Sequence, residues 1–275
     1  MIKAINLWSF PPQLDLEKCF NLAKKLGYEG VELTCDLKGR FHVNVTEEGC
    51  ENARRLAHKA GVQLTALASN VCWTYCPTSD LASDREKAVE LYRRMIQIAR
   101  WLGLDSILVV PGAVQIPANQ KFKPVRYDKA YEYAVEFIEK LLPYAEKYQV
   151  RICIENEWNY FLMSPLELKD FVDSFDHPSV RIYFDIGNVL RFGQPQHWAE
   201  IFGNKIHRVH VKDYKLSSNW RDGFCPLLEG DVPFKDVMKA LKKQGYDRSL
   251  TAEVVPATEA ALKHTSKAMD KILKM

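Results

Sequence analysis

The stretch RICIENEW, residues 151–158, joins the pattern of a core strand to a group of polar side chains. Ile152 and Ile154 alternate as in a strand that packs one face against a hydrophobic layer. Glu155 follows at once, and an ionised carboxylate at the end of a buried strand is costly unless a cation or hydrogen bonds compensate it. The stretch therefore predicts a core strand that ends at a functional site.

Short aliphatic or β-branched runs of this kind alternate with amphipathic stretches along the whole chain, which is typical of βα units. The predicted strands are AINLW near residue 4, GVELT at 30, QLTALAS at 63, SILVVPG at 106, RICIEN at 151, VRIYFDIG at 180, IHRVHVKD at 206 and LTAEVV at 250. Helical patterns between them include DLEKCFNLAKKLG, EEGCENARRLAHKAG, DREKAVELYRRMIQIARWLG and DKAYEYAVEFIEKLLPYAEKY, and a last one, ATEAALKHTSKAMDKILKM, follows the eighth strand. Several of these patterns end at a glycine that can cap a helix.

Eight strand and helix units without a Pro-, Gly- or Ser-rich linker predict an α/β fold, a single closed (β/α)8 TIM barrel. At 275 residues, the chain has the usual size for such a barrel. We therefore expect residues 1–275 to form one catalytic TIM-barrel domain. An open doubly wound sheet is the alternative, but it would have fewer strands and a glycine-rich first turn, which NLWSFPPQ is not.

Composition and charge narrow the class of protein. Hydrophobic residues make up 47% and charged residues 27% of the chain, values ordinary for a globular protein. The formal net charge is +3, and the basic residues are interspersed with acidic ones, so we expect no nucleic-acid partner. The start MIKAINLW lacks the features of a signal peptide, and no run approaches a membrane span. Seven scattered cysteines without a CxxC pair fit free thiols, so we expect a cytoplasmic protein with no membrane partner.

Strand parity selects a group of candidate metal ligands. In a barrel, alternate strand residues face the axis, and functional groups gather at the carboxyl ends of the strands. By this alternation strands five to eight each turn one such residue inward: Glu155, Asp185, His210 and Glu253. Three carboxylates and an imidazole would repel one another without a divalent cation. An oxygen-rich set with one nitrogen suits Mn²⁺ or Mg²⁺, with Co²⁺ and Zn²⁺ as alternatives, so the sequence predicts a metal site.

Lys212 is the candidate for holding a substrate oxyanion or phosphate, because it follows His210 on the same strand face. A salt bridge from Lys212 to Asp213 or Glu229 is the alternative.

Four further side chains, at or just beyond the ends of predicted strands, are substrate-binding candidates. Asn156 and Asn188 would hydrogen-bond sugar hydroxyl groups or orient metal ligands, and the residues do not separate these two roles. Trp8 and Trp158 would wall a sugar pocket, although aromatic side chains also fill barrel cores.

Seven short segments of the chain resemble motifs of a known superfamily. The segments are IEN at 154, YFDIGN at 183, RVHVKD at 208, LLEGDVPF at 227 and TAEVV at 251, together with NLWSF and LGYEGVEL near the start. They are similar to the sugar isomerases and epimerases with a xylose isomerase-like TIM barrel, the group that holds ketose 3-epimerases and hexulose- and xylulose-phosphate epimerases. The resemblance implies a divalent metal, commonly Mn²⁺, on the four residues that parity selects. It also implies that a small sugar or sugar phosphate is the binding partner, and a homo-oligomer is compatible with it.

Two positions depart from the family pattern. Many relatives carry a histidine where this chain has Asn188, and ketose 3-epimerases place a sugar-contacting glutamate where it has Phe161. The departures argue against copying a free-ketose specificity onto this chain, but they leave the metal ligands intact.

Glu32 faces inward on the second predicted strand and needs a partner if it is buried. We expect an interior arginine such as Arg181 or Arg208 in that role, although the resemblance also allows a place for Glu32 at the edge of the site.

The reaction that these residues favour is ketose 3-epimerisation through a metal-stabilised enediolate. Glu155 would remove or return the C3 proton, and Glu253 would act from the other face. A metal-dependent inosose or polyol dehydratase on the same scaffold is the first alternative. An apurinic-site endonuclease and a non-catalytic sugar-binding module are weaker ones, because additional histidines are missing from the other strands and a complete ligand set is present.

Overall fold

The computed structural model describes residues 1–117, 119 and 121–275. Eight strands in this part of the chain form a closed barrel, as predicted. They are β1 (Ile2–Asn6), β2 (Gly30–Thr34), β3 (Gln63–Ala68), β4 (Ser106–Val109), β5 (Arg151–Glu155), β6 (Val180–Asp185), β7 (Ile206–Val211) and β10 (Ser249–Ala252). Around the barrel they follow the order β1-β10-β7-β6-β5-β4-β3-β2. The two short strands β8 (Asp213–Tyr214) and β9 (Phe224–Cys225) pair antiparallel outside the barrel.

Helices lie between the barrel strands, which completes the TIM-barrel pattern. The α-helices are α1 (Leu16–Lys25), α2 (Glu47–Ala60), α3 (Ala82–Trp101), α4 (Tyr127–Tyr148), α5 (Pro165–Asp173), α6 (Ile186–Val189), α7 (Pro195–Phe202), α8 (Phe234–Lys243) and α9 (Glu259–Ile272). Short 3₁₀ turns cover Leu7–Ser9, Val71–Trp73, Gly203–Lys205 and Trp220–Gly223. No helix in the described residues is long and apolar enough to cross a bilayer.

The first helix shows how the sequence fixes an element. Asp15 caps α1 by accepting a hydrogen bond from the backbone N–H of Lys18 at 2.8 Å, which satisfies a donor that the helix itself leaves open. Gly27 follows the helix at φ +84°, a left-handed conformation that glycine adopts without strain. A capping carboxylate and a terminating glycine thus set the two ends of α1.

Some strands end earlier than the sequence pattern predicts. β1 stops at Asn6 because the Asn6 side chain accepts the backbone N–H of Trp8 and turns the chain into a 3₁₀ turn. β10 stops at Ala252, so Glu253 lies one residue beyond the strand. Its backbone N–H still donates to the Val211 carbonyl at 3.2 Å, which keeps Glu253 beside the end of β7.

The chain comprises two compact units. The first contains Met1–Leu33, Asn52–Thr65 and Ile182–Met275, and the second contains Thr34–Glu51 and Ala66–Arg181.

Within the first unit, β1 contacts β10 and α9. It pairs in parallel with β10, with Ile2 opposite Ser249. Lys3 is almost fully buried, and its ammonium lies 2.6 Å from the Asp270 carboxylate on α9. Residues 3 and 270 are separated by 267 positions in the sequence, so this contact is among the most non-local in the chain.

Within the second unit, β4 and β5 pair in parallel, with Ser106 opposite Arg151. Helices α3 and α4 pack through an edge-to-face contact of Tyr92 and Phe137, whose ring centroids are 5.2 Å apart. Both aromatic rings are buried, so the unit has an aromatic layer outside its strands.

Candidate metal centre

The ends of β6 and β7 place two of the predicted ligands side by side. Asp185 is the last residue of β6 and is paired in register with His210 on β7. β10 pairs with β7 on its other side, with Thr251 opposite His210, and delivers Glu253 to the same end. Because parallel strands present their carboxyl ends at one edge, neighbouring strands bring the three side chains together.

These three side chains are in close contact. Nδ1 of His210 lies 3.1 Å from Oε2 of Glu253 and 3.9 Å from Oδ2 of Asp185. The side chains of His210 and Asp185 are fully buried, whereas 22% of the Glu253 side chain is exposed. His210 and Asp185 are therefore shielded from solvent, whereas the Glu253 carboxylate is accessible to solvent and to a small molecule.

Glu155, the last residue of β5, completes the predicted set. Glu155, Asp185, His210 and Glu253 each offer one ligand atom, and these four atoms lie within 4.8 Å of one another. Three carboxylate oxygens and one imidazole nitrogen match the donors that Mn²⁺ and Mg²⁺ prefer. The four groups could hold a divalent metal, and the four residues that strand parity selects are the ones that meet.

Lys212 supplies positive charge to this cluster. Its ammonium lies 3.0 Å from Oδ2 of Asp185 and 3.2 Å from Oε2 of Glu253. The two carboxylates therefore stabilise a positive charge at this point. Carboxylate ligands of a metal ion do the same.

The alternative partners of Lys212 are engaged elsewhere. The carboxylate of Asp213 accepts hydrogen bonds from four backbone N–H groups of the segment between β7 and α8, namely those of Tyr214, Leu228, Gly230 and Val232. Glu229 lies 3.3 Å from His264. The expected alternative, a salt bridge from Lys212 to Asp213 or Glu229, is therefore wrong.

A close backbone contact holds Lys212 in place. Gly187 in α6 faces the end of β7, and a Cβ atom at this position would lie 2.5 Å from Cβ of Lys212. Such a distance is below any normal contact between carbon atoms. Only glycine lets the turn that follows Asp185 approach Lys212 this closely.

Glu32 has three side-chain partners, none of them the expected arginine. Its Oε2 atom accepts from Nδ2 of Asn6 at 2.5 Å and lies 2.6 Å from Nε2 of His210. Its Oε1 atom accepts from the hydroxyl group of Tyr183. Arg208 instead donates to the carbonyl groups of His207 and Thr65. The expectation that Arg181 or Arg208 pairs with Glu32 is thus wrong among the described residues.

The charge of Glu32 follows from these contacts. Burial by itself would raise its pKa, but the charge of His210 and the hydrogen bonds from His210, Tyr183 and Asn6 outweigh burial, so the pKa lies below its ordinary value. Burial and the neighbouring Glu32 carboxylate raise the pKa of Tyr183 well above its ordinary value. Glu32 is therefore a buried anion, and Tyr183 is a neutral donor to it.

Sequence reasoning missed Asn6 and Tyr183, although both leave a signal. Asn6 on β1 is paired in register with Glu32 on β2. Tyr183 precedes Asp185 by two residues on β6, so strand alternation places both on the same face. Parity applied to every strand residue, instead of to charged residues alone, would have selected them.

The predicted substrate-binding residues lie around strand ends. Asn188 is buried in α6, and its backbone N–H donates to Oδ1 of Asp185 at 2.9 Å, so this residue helps to orient a predicted metal ligand. Asn156 is buried directly after β5. Trp158 is almost fully buried, whereas Trp8 is partly exposed in the turn after β1. Their contact with a substrate stays a prediction.

Phe161, at the position where the family resemblance implies a sugar-contacting glutamate, belongs to an aromatic cluster. It is buried, and its ring centroid lies 5.5 Å from that of Tyr127, 6.3 Å from that of Tyr131 and 6.4 Å from that of Phe171. The side chain therefore fills the core of the second unit.

The fold and the ligand set together define a class of protein. The model of the xylose isomerase-like TIM barrel family matches residues 20–272. The chain belongs to this family, which confirms the resemblance seen in its motifs.

Particular relatives share most of this barrel. An uncharacterised protein of Methanocaldococcus jannaschii is 28% identical over 191 residues, which are 65% of this chain and 62% of the relative. An Escherichia coli protein named provisionally as an L-ribulose-5-phosphate 3-epimerase is 23% identical over 239 residues, 85% of this chain and 81% of the relative. The solved D-psicose 3-epimerase of Clostridium cellulolyticum, with D-tagatose, superimposes with a TM-score of 0.80 at 18% identity, over 99% of each chain.

Proposed function

We propose that the protein is a metal-dependent epimerase that inverts C3 of a ketose or ketose phosphate. The observation that carries the proposal is the meeting of Glu155, Asp185, His210 and Glu253, whose ligand atoms lie within 4.8 Å of one another. The family and the names of the relatives support an enzyme of the isomerase type.

The donor set fits Mn²⁺ best, since carboxylate oxygens dominate and a single imidazole nitrogen is present. Glu155, Asp185, His210 and Glu253 would hold the ion. A divalent cation supplies Lewis-acid stabilisation of the negative charge that develops on sugar oxygen atoms during proton removal.

Glu155 and Glu253 are the proposed proton-transfer groups. One carboxylate takes the C3 proton, the C2–C3 double bond forms as the carbonyl electrons move to the C2 oxygen, and an enediolate results. The other glutamate, present as the carboxylic acid, delivers its proton to the opposite face of C3, and the C2 carbonyl forms again; proton exchange with solvent then returns both side chains to their starting states. The product is the C3 epimer, and no external oxidant or reductant is consumed.

Lys212 is proposed to donate a hydrogen bond to a substrate oxygen. Its side chain is only 12% exposed, and its ammonium lies beside both Asp185 and Glu253, so a sugar oxygen that enters the cluster comes within its reach. A positive charge at this point favours the enediolate over the neutral ketose.

A phosphorylated ketose is the proposed substrate class. Phe161 is packed in the core, and Asn188 is also buried. The family resemblance implies other residues at both positions, so it argues against the specificity of a free-ketose epimerase. The Escherichia coli relative is named for a pentulose 5-phosphate.

The test is proton NMR in D₂O of the Mn²⁺-loaded protein with a panel of pentuloses, hexuloses and their terminal phosphates. We expect deuterium at C3 together with the C3 epimer, and faster conversion of a phosphorylated member. The variant Glu253→Gln serves as the matched control, because it removes one carboxylate and leaves the rest of the ligand set. Deuterium at C1 would show an aldose–ketose isomerase instead, and exchange with none of the sugars would refute the epimerase proposal.

A further inference from the structure

The two ring nitrogens of His210 face different partners. Nδ1 points to the carboxylates of Glu253 and Asp185, at 3.1 and 3.9 Å. Nε2 points away from them, to Oε2 of Glu32 at 2.6 Å. A neutral imidazole carries one proton and one lone pair, so the nitrogen that donates decides which nitrogen is free to bind a metal.

We infer that Glu32 is a positioning residue, which holds His210 in the tautomer with the proton on Nε2 and so presents the Nδ1 lone pair to the metal. The inference rests on the metal site proposed above. It assigns to Glu32 the orientation of one ligand of that site, His210. Glu32 itself contributes no atom to the four-residue ligand set.

Glu32 is suited to this role because it can only accept hydrogen bonds there. An ionised carboxylate has no donor, so the short contact to Nε2 requires the proton to lie on that nitrogen. The donors Asn6 and Tyr183 favour the ionised form of Glu32, and the side chain is fully buried. Water therefore does not compete for the hydrogen bond between Glu32 and His210.

The orientation of the Glu32 carboxylate group is fixed by its other hydrogen-bond partners. Asn6 can offer its amide nitrogen to Glu32 because its amide oxygen accepts the backbone N–H of Trp8 at 2.7 Å. Tyr183 holds the other oxygen of Glu32, and its ring lies 4.5 Å from the imidazole of His210 at an interplanar angle of 49°. Tyr183 therefore restrains both partners of the Glu32–His210 bond.

The expected effect follows from the energetics of such outer partners. Their loss typically weakens metal binding by about 10- to 100-fold, because the ligand loses orientation and basicity. In Glu32→Gln the amide offers one acceptor and one donor where three donors of the protein converge. The substitution also removes the negative charge, so the bond to Nε2 is no longer charge-assisted and the Nε2–H tautomer is held less strongly.

The experiment measures Mn²⁺ affinity by isothermal titration calorimetry for the wild type, Glu32→Gln, Glu32→Asp and Tyr183→Phe. We expect about 10- to 100-fold weaker binding in Glu32→Gln. Glu32→Asp should recover part of the affinity because it keeps an acceptor-only group. Tyr183→Phe should weaken binding less than Glu32→Gln, since it keeps the bond between Glu32 and His210. Circular dichroism of the metal-free variants reports whether each one is folded.

A second measurement separates a directed tautomer from general support of the fold. In long-range ¹H–¹⁵N spectra of the Mg²⁺-loaded wild type, we expect the shift of a protonated nitrogen at Nε2 of His210 and of an unprotonated one at Nδ1. Protonation at Nδ1 in the loaded protein would overturn the inference. So would equal Mn²⁺ affinity in the wild type and a folded Glu32→Gln variant. A wild type that binds no Mn²⁺ at all would instead refute the metal site itself, so the two failures are distinguishable.

Discussion

Replacing Lys212 by methionine tests whether the cluster of carboxylates depends on an internal cation. The substitution removes the ammonium that lies 3.0 Å from Asp185 and 3.2 Å from Glu253 while it keeps most of the length of the side chain. At these distances and an effective dielectric constant of about 20, each attraction is worth roughly 5 kcal/mol before desolvation is subtracted. Breaking a buried ion pair typically costs about 3–5 kcal/mol, because the remaining charge has no partner.

We therefore expect the free energy of unfolding of metal-free Lys212→Met to fall by about 3–5 kcal/mol, which lowers the Tm by on the order of 10 °C. Urea denaturation in EDTA, followed by tryptophan fluorescence, measures this loss. With Mn²⁺ present the deficit should shrink, since a divalent cation compensates the same carboxylates.

Lys243→Met is the matched control. Its ammonium lies 3.1 Å from Glu200, but both side chains are largely exposed, so the expected loss is at most about 1 kcal/mol. If metal-free Lys212→Met is as stable as the wild type, or if Lys243→Met loses as much, burial of the Lys212 charge between the carboxylates is not what stabilises the site.

Three more predictions concern the same end of the barrel. Glu155→Gln and Glu253→Gln should each lower turnover by about 10²- to 10⁴-fold, measured as deuterium incorporation at C3; near-normal turnover in either variant would remove that carboxylate from proton transfer. Gly187→Ala brings a Cβ atom to 2.5 Å from Cβ of Lys212, so urea denaturation should show a loss of about 1–3 kcal/mol, and unchanged stability would contradict the close contact. The pKa of Glu32 lies below its ordinary value of 4.5 in the folded protein, so the unfolded chain binds more protons and stability falls as the pH drops through 4.5. Metal-free wild type should lose up to about 1.4 kcal/mol more per pH unit than Glu32→Gln, and parallel pH curves would refute this.

Strand parity predicted which four side chains meet at the candidate metal centre, because it depends only on local backbone geometry. Asp185 and His210 each end or nearly end a strand, and alternation alone places their side chains on one face. The alternation of strands and helices likewise predicted the barrel. These features follow from the local sequence pattern, so no knowledge of contacts between distant residues is needed to predict them.

The partners of the buried charges could not be predicted in this way. Glu32 and Tyr183 are 151 positions apart in sequence, and Glu32 and His210 are 178 apart. Whether a carboxylate pairs with an arginine, a tyrosine or a histidine depends on which side chains of several strands reach the same point, and on their rotamers. The position of Lys212 depends similarly on the missing Cβ atom of Gly187.

The ends of the strands were mispredicted for a local reason. Residues such as Leu7 and Val254 continue an aliphatic pattern, but the side chain of Asn6 and the hydroxyl of Ser9 capture backbone N–H groups that a longer strand would have used. Hydrophobic alternation carries no information about this competition.

The pairing of β1 with β10 has a consequence for the synthesis of the protein. β1 is translated long before Ser249 and Asp270, its partners in β10 and in α9. At about 5–20 residues per second, one edge of β1 waits on the order of ten seconds or more for its neighbour. A nascent chain therefore carries an open strand edge until β10 is made, and a ribosome-bound chain that lacks residues 249–275 should be a substrate for chaperones that shield such edges.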